Sequence, residues 1–342
     1  MAVYGIGMAD SSKTSRWYRT PIPRDRLAQL TKRENLRPLL HVGGHLAVSA
    51  ATGWFAFFAF NNLAWPIVIL AVYLHGTFYN FLGMFTGIHE LAHRTVFRTR
   101  GLGEVLYFIL GILTWNNIYK FRESHFAHHR DTCHTGQDLE VVLPEKFLPY
   151  HWFFVFTITP VSGAGGVPGV YSMIKETVKY AFGRMNSTWE NMIIPPEEKK
   201  ARRRVFNYSR LTLLVHAGLV ALFVASGAWI LIFVVTIGMF IAPWLAILCA
   251  LPQHIGLRGD VKDWRICART VLMHPVIRFF YWNMNYHVEH HMYASVPFYN
   301  LPALHEEIKH DTPEPYPGLI AAGKAIMPIV RKQRKDPSYA YV

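Results

Sequence analysis

The sequence predicts an all-α integral membrane protein with two transmembrane helical hairpins, four spans in all, and a cytoplasmic helical cap that carries a metal site. Three observations support this fold class. The chain has 342 residues, of which 51% are hydrophobic and only 17% are charged, which is too apolar for an ordinary soluble protein. Two long stretches contain no charged residue, and three short motifs hold clustered histidines.

The two charge-free stretches predict the membrane spans. They run over Pro38–His89 and Leu211–Leu257, which are 52 and 47 residues long. A spanning helix needs about 20 apolar residues, so each stretch has room for two helices and a turn. Polar or flexible residues interrupt the stretches at Asn61-Asn62 and Ser226-Gly227. The predicted spans are therefore 41–60, 66–88, 211–226 and 229–251.

Two other apolar stretches, 105–119 and 147–174, are short or interrupted by glycine and proline. We expect them to form helices that lie in the membrane interface or re-enter it. The remaining divisions are a basic N-terminal segment, 1–37, a membrane domain, 38–318, and a basic C-terminal tail, 319–342.

The distribution of charge predicts the orientation. The first 40 residues carry eight Lys and Arg against three Asp and Glu, whereas the predicted turns of the hairpins carry none. By the positive-inside rule, both termini and the middle region are cytoplasmic in this multi-pass protein. Because the basic residues flank apolar spans, the net charge of +13 favours anionic membrane lipid over nucleic acid as the partner.

Eight of the 18 histidines fall into three motifs, IHELAHR, SHFAHHR and YHVEHH. Within each motif the histidines are spaced i, i+4 or i, i+3, i+4, which places their rings on one face of a helix. Eight imidazoles suit two metal ions with about four each, leaving positions for an exogenous ligand. The candidate ligands are His89, His93, His125, His128, His129, His287, His290 and His291.

The type of ligand does not identify the metal, because imidazole binds Fe, Zn and Cu alike. HELAH also matches the H-E-x-x-H signature of zinc proteases, with His89 and His93 as ligands and Glu90 as base. That alternative leaves at least five clustered histidines unexplained. A metal transporter or sensor would need ionisable residues within the spans, where the sequence offers no Asp, Glu, Lys or Arg and only isolated histidines such as His75 and His216.

The position of the motifs points to chemistry at the membrane surface. The first motif begins where a predicted span ends, and the other two follow cytoplasmic segments. A metal centre just above the bilayer suits redox chemistry on a lipid-soluble C–H bond, since O2 and hydrocarbon both partition into the membrane.

The ordered motifs HELAH, HFAHH and HVEHH, together with the four predicted spans, resemble the membrane fatty acid desaturase and hydroxylase superfamily from about Pro38 to Gly318. The resemblance implies a di-iron centre of two Fe ions, O2 as co-substrate, and desaturation or hydroxylation of an unactivated C–H of a fatty acyl lipid. The alternative is a monooxygenase of the same fold that acts on a non-lipid small molecule. Relatives often place a further ligand just after the fourth span, where LPQHIGL carries His254.

Carboxylates close to the motifs are expected to hold the imidazoles by accepting their outer N–H groups. The candidates are Glu90, Asp138, Asp263 and Glu289. Aromatic residues near span ends, Trp115, Tyr119 and Trp244, are candidates for lining a tunnel for the substrate chain, and are equally consistent with ordinary interfacial aromatics.

No segment resembles a cytochrome b5, rubredoxin or flavin domain, and Cys133, Cys249 and Cys267 are scattered. We therefore expect a separate electron-transfer protein as partner: a ferredoxin, a rubredoxin, or cytochrome b5 with its reductase. The expected location is the bacterial inner membrane or the endoplasmic reticulum.

Overall fold

The computed structural model describes residues 16–143, 156–158, 169–336 and 339, and this part of the chain is helical, as the sequence predicts. Its only pairings of extended backbone are two isolated bridges, Ile158 with Ile241 and Val271 with Tyr316. In chain order the α-helices are α1 (Arg24–Leu30), α2 (Leu36–Asn62), α3 (Trp65–Tyr79), α4 (Gly87–Ala92), α5 (Arg100–Leu113), α6 (Ile118–Asp131), α7 (Val170–Ala181), α8 (Thr188–Ile193), α9 (Lys199–Ala225), α10 (Trp244–Ala250), α11 (Trp264–Cys267), α12 (Pro275–Phe280), α13 (His287–Met292), α14 (Leu301–Ile308) and α15 (Leu319–Lys335).

Three helical segments among the described residues are long and apolar enough to cross a membrane: Leu36–Asn62, Trp65–Ala92 and Lys199–Ala225. The second of these joins α3 and α4 through a 3₁₀ turn at Asn80–Leu82. A helix of 27 residues, such as α2, is about 40 Å long, which exceeds the hydrocarbon thickness of about 30 Å. Large apolar side chains face outward on these helices, as they would in lipid.

The fourth predicted span, 229–251, is not a continuous helix. It consists of a π-helical turn at Ile232–Thr236, a 3₁₀ turn at Gly238–Phe240 and then α10. Between the 3₁₀ turn and α10, Ala242 has a φ of 47°, a left-handed conformation that breaks a right-handed helix. Pro243 follows it and disfavours the helical conformation at the preceding residue. Hydropathy predicts the apolar character of this segment correctly and misses its irregular backbone.

The broken segment is fixed to α3 by polar contacts. Gly76 has no side chain, so the carbonyl of Ile241 packs against its Cα, where a Cβ would collide with it. Asn80 then donates one hydrogen bond to Gly76 O at 2.7 Å and another to Ile241 O at 2.9 Å. His75 Nε2 lies 3.0 Å from Val234 O, which makes it a hydrogen-bonded interior histidine. These contacts supply the hydrogen bonds that irregular backbone needs within an apolar region.

Of the two expected interfacial stretches, 105–119 falls mostly in α5, whose Tyr107 and Leu110 are buried while Val105 and Ile109 are exposed. The stretch 147–174 lies outside the described residues, except for 156–158 and the start of α7. Helix α5 packs on α4 and α6, and Arg122 of α6 pairs with Glu104 of α5 at 3.0 Å. The helices that carry the first two histidine motifs are thereby held together.

The hydrogen bond from Asn80 to the broken segment yields a stability prediction. Asn80→Leu removes the side-chain donor to the buried Ile241 carbonyl and should lower the free energy of unfolding by about 1–3 kcal/mol. Chemical denaturation in detergent micelles measures the change. Asn61→Leu is the matched control. Asn61 makes the same type of hydrogen bond, to Phe57 O, but it is exposed, so water can replace the lost bond in the variant. Equal losses in the two variants would contradict the role given to Asn80.

Candidate metal centre

The three histidine motifs converge on one buried region. Five imidazoles form a first group, in which the ligand nitrogens lie within 4.8 Å of one another: His89, His93, His125, His129 and His290. The Nε2 atoms face inward, and neighbouring pairs are separated by 2.9 Å (His89–His290), 2.9 Å (His93–His125), 3.1 Å (His125–His129) and 3.2 Å (His129–His290).

A second group lies beside the first. His128, His254 and His291 also have ligand nitrogens within 4.8 Å of one another. His287 adjoins them, with its Nε2 2.8 Å from Nε2 of His254 and 3.1 Å from Nε2 of His291. The groups touch where the rings of His129 and His291 stack with centroids 4.2 Å apart. The structure thus brings together all nine histidines that the sequence singles out, five in one group and four in the other.

The hydrogen-bond chemistry of these rings fits metal ions. His254 Nδ1 lies 2.7 Å from the carbonyl of Cys267, which can only accept, so Nδ1 carries the proton and Nε2 presents a lone pair. By the same argument His125 donates from Nδ1 to Glu140 at 3.0 Å and presents Nε2 to the first group. Lone pairs gathered in a buried space are unfavourable unless a cation lies among them. Each group therefore fits one metal ion.

Burial keeps most of these imidazoles neutral, which is the form that binds metal. Burial, assisted by neighbouring histidines, lowers the pKa of His93, His129, His287 and His291 well below the ordinary value. It lowers the pKa of His254 to about 3. His128 differs: burial opposes its charge, yet Asp138 beside it holds the pKa of this histidine above its ordinary value.

Two carboxylates hold imidazoles from the outside. Asp138 Oδ2 accepts from His128 Nδ1 at 2.7 Å and from the backbone N–H of Cys133 at 2.9 Å. Glu140 accepts from His125 Nδ1 and from the hydroxyl of Ser124. Asp138 is among the carboxylates expected from the sequence. Glu140 is not, although its position two residues after Asp138 in GQDLE was an available signal.

The other expected carboxylates have different partners. Glu90 Oε1 lies 3.4 Å from His290 Nδ1, a longer contact on the outer side of that ring. Asp263 contacts no imidazole in its described contacts; it caps α11 and pairs with Arg265 at 2.8 Å. Glu289 binds His305 and Thr270, both at 2.5 Å. Glu289 lies two residues from His287 on a helix, so its side chain points to a different face.

Two of the aromatic residues considered for a substrate tunnel, Trp115 and Trp244, make hydrogen bonds within the fold. Trp115 donates to Thr236 O at 2.7 Å and stacks on His216, and Trp244 donates to the hydroxyl of Thr77 at 3.1 Å. A cleft of about 460 Å³ opens elsewhere, between α2, α3, α5 and the π-helical turn. Its mostly apolar lining includes Leu46, Trp54, Tyr79, Leu82, Leu110 and Leu113.

Comparison with known proteins identifies the family. The sequence model for fatty acid desaturases matches residues 63–322, which is most of the chain and includes all nine histidines. The chain belongs to the fatty acid desaturase family. A comparison with curated proteins found no match. Membership of the desaturase family implies an oxidoreductase, and the apolar helices fit a membrane protein.

The contacts of the outer carboxylates predict different effects on metal binding. Asp138→Asn and Glu140→Gln remove acceptors that hold a ligand imidazole, and each should lower metal affinity about 10–100-fold. Asp263→Asn should leave metal affinity unchanged, because Asp263 contacts Arg265 instead. Chelator competition, followed by metal analysis of the folded protein, measures all three. Equal metal retention in the three variants would contradict the roles given to Asp138 and Glu140.

Proposed function

We propose that this chain is an O2-dependent di-iron membrane oxidase that desaturates or hydroxylates an unactivated C–H of a fatty acyl lipid. The observation that carries the proposal is the paired arrangement of five and four inward-facing imidazoles in a chain of the desaturase family. Two iron ions bound there would supply the O2 activation that removes hydrogen from an unactivated carbon.

The described residues of the chain would hold the metal ions and keep water away from them. The nine imidazoles would serve as neutral ligands, and Asp138 and Glu140 fix the orientation of two of them through Nδ1. Helix α13, which carries the last motif, is buried along its whole length. A dry site strengthens these electrostatic contacts and protects the reactive centre from water.

The apolar cleft supports a lipid substrate. It lies among membrane-spanning helices, and its residues include Leu82 in the segment that leads from α3 to the first histidine motif. A long acyl chain can leave the bilayer along such a cleft without crossing water. Removal of a second hydrogen would give desaturation and addition of oxygen hydroxylation, with the same ligands in both cases.

The zinc protease alternative receives no support from the arrangement of Glu90. A catalytic base has to face the open position of the metal, where it activates water. Glu90 instead approaches Nδ1 of His290, whereas the Nε2 atom of that ring faces the other imidazoles. Its buried position on the outer side suits a supporting role.

Two further features belong to the proposal. The termini would lie in the cytoplasm, on the side where the histidines are gathered, in a bacterial inner membrane or the endoplasmic reticulum. Electrons would come from a separate ferredoxin, rubredoxin or cytochrome b5 system.

Metal analysis tests the identity of the centre. Protein purified in mild detergent and loaded with ferrous iron should retain close to two irons per chain, one for each imidazole group. His287→Ala removes a ligand of the second group and should reduce the retained iron, whereas His310→Ala, at an exposed position, should not. A single stoichiometric zinc, with activity that survives iron removal, would refute the oxidase proposal.

Lipid analysis tests the reaction. Cells that express the wild-type chain should differ from cells that express His290→Ala in their acyl chains, either by loss of two hydrogens or by gain of one oxygen. Mass spectrometry of total lipids and polar metabolites measures both. Unchanged lipids together with an altered polar metabolite would overturn the lipid assignment and favour a small-molecule monooxygenase.

A further inference from the structure

Two stacked indoles connect the protein surface with the second imidazole group. The rings of Trp17 and Trp264 are nearly parallel, with centroids 4.4 Å apart and an interplanar angle of 6°. Trp264 is buried, and its ring centroid lies 6.4 Å from that of His291. Trp17 is half-buried at the surface. A continuous aromatic path therefore runs from the surface to a candidate metal ligand.

A polar path runs beside the aromatic one. The Nε1–H of Trp264 donates to the Thr132 hydroxyl at 3.4 Å, and the same hydroxyl lies 3.4 Å from Nδ1 of His291. The buried indole is thus linked to the ligand ring by two weak contacts as well as by ring proximity.

The segment 17–20 holds the outer indole in place. Trp17 Nε1 donates to Arg130 O at 2.8 Å, and the N–H of Tyr18 donates to Lys262 O at 2.9 Å. The hydroxyl of Tyr293 donates to Thr20 O at 2.5 Å. This segment precedes residue 63, where the family match begins, so the indole pair uses a part of the chain outside that match.

The surface around Trp17 is positively charged. Arg16, Arg19 and Arg130 are exposed, and Arg19 lies over the Trp264 ring at 5.8 Å. Nearby carboxylates are occupied: Asp131 pairs with Arg130, and Asp311 binds Tyr18, Thr20 and Arg265. Among the described residues, no carboxylate forms an ion pair with Arg16 or Arg19.

We propose that this surface docks an acidic protein that carries one electron at a time, and that Trp17 and Trp264 conduct each electron to metal held by the second group. The inference rests on the proposed function, which requires reducing equivalents. Two successive transfers would oxidise two molecules of the carrier and reduce two ferric ions to the ferrous state, by one electron each. The indoles are not themselves reduced; their stacked orbitals provide a path that attenuates tunnelling less than a gap of the same length.

Docking is tested with oxidised plant-type [2Fe–2S] ferredoxin, a small acidic protein, as the probe. The double variant Arg16→Glu/Arg130→Glu should raise the Kd about tenfold, and the wild-type Kd should rise with salt, because the attraction is electrostatic. Arg203→Glu, at an exposed position on α9, is the matched control and should leave the Kd unchanged. Equal affinities for all three proteins would overturn the docking surface.

Conduction is tested by anaerobic stopped-flow mixing of reduced ferredoxin with the iron-loaded protein, whose iron has first been oxidised to the ferric state and freed of excess oxidant, following ferredoxin absorbance. Trp264→Leu should slow electron transfer severalfold with an unchanged ferredoxin Kd, and Trp264→Phe, which keeps a ring, should slow it less. Trp229→Leu is the control, because Trp229 stacks on Trp65 at the turn between α2 and α3. Iron content and thermal unfolding establish that each variant is folded and loaded.

Dithionite separates the two proposals. The indole path is supported if dithionite reduces wild type and Trp264→Leu at the same rate while ferredoxin reduces Trp264→Leu more slowly than wild type. If ferredoxin reduces both proteins at the same rate, the path is overturned while the proposed function stands. If even dithionite transfers no electrons to the iron-loaded wild type, the proposed function fails, and the inference fails with it.

Discussion

Nine imidazole rings share one dry space, and the rest of the fold follows from what they need there. Neutral rings with inward lone pairs repel one another unless cations lie between them, so the arrangement of the histidines suits bound positive charge. The outer nitrogens must then be bound by acceptors, which Asp138, Glu140 and the carbonyl of Cys267 supply. Helices α4, α6 and α13 carry seven of the nine rings.

A centre built from neutral ligands has an electrostatic consequence. Two divalent ions would bring four positive charges into a region of low dielectric, and imidazole cancels none of them. The compensating negative charge has to come from carboxylates that accept hydrogen bonds from the outer nitrogens of the rings. The pKa of Asp138 is held below its ordinary value by His128, and that of Glu140 by His125, although burial opposes the charge in both cases. Both carboxylates therefore remain charged where the charge is needed.

The grouping of the histidines could be predicted because its signal is local. Rings at positions i, i+3 and i+4 of one helix share a face, and three such faces favour one shared centre. The same rule accounts for the contacts of Glu289, which is close to the histidine motif in sequence but lies on another face of α13 and binds His305. The Cys267 carbonyl reaches His254 by a backbone contact 13 residues along the chain, which the spacing of the histidines does not encode, whereas the position of Glu140 just after Asp138 was a usable signal. The broken segment after α9 depends on Asn80 and on the left-handed Ala242, neither of which affects hydropathy.

Helix α9 combines an apolar part that is long enough to cross a membrane with a basic N-terminal part. Its charge-free part runs from Leu211 to the end of the helix, while its N-terminal turns carry basic residues and extend beyond the apolar region. At that level Asn117, the N-cap of α6, donates hydrogen bonds to Val205 O and the Ser209 hydroxyl, both at 2.9 Å. Bilayers of different thickness tilt a long helix differently, and a change in the tilt of α9 would be passed through these hydrogen bonds to α6, which carries the second histidine motif. The thickness of the surrounding bilayer would then bear on the geometry of the histidine groups through α9.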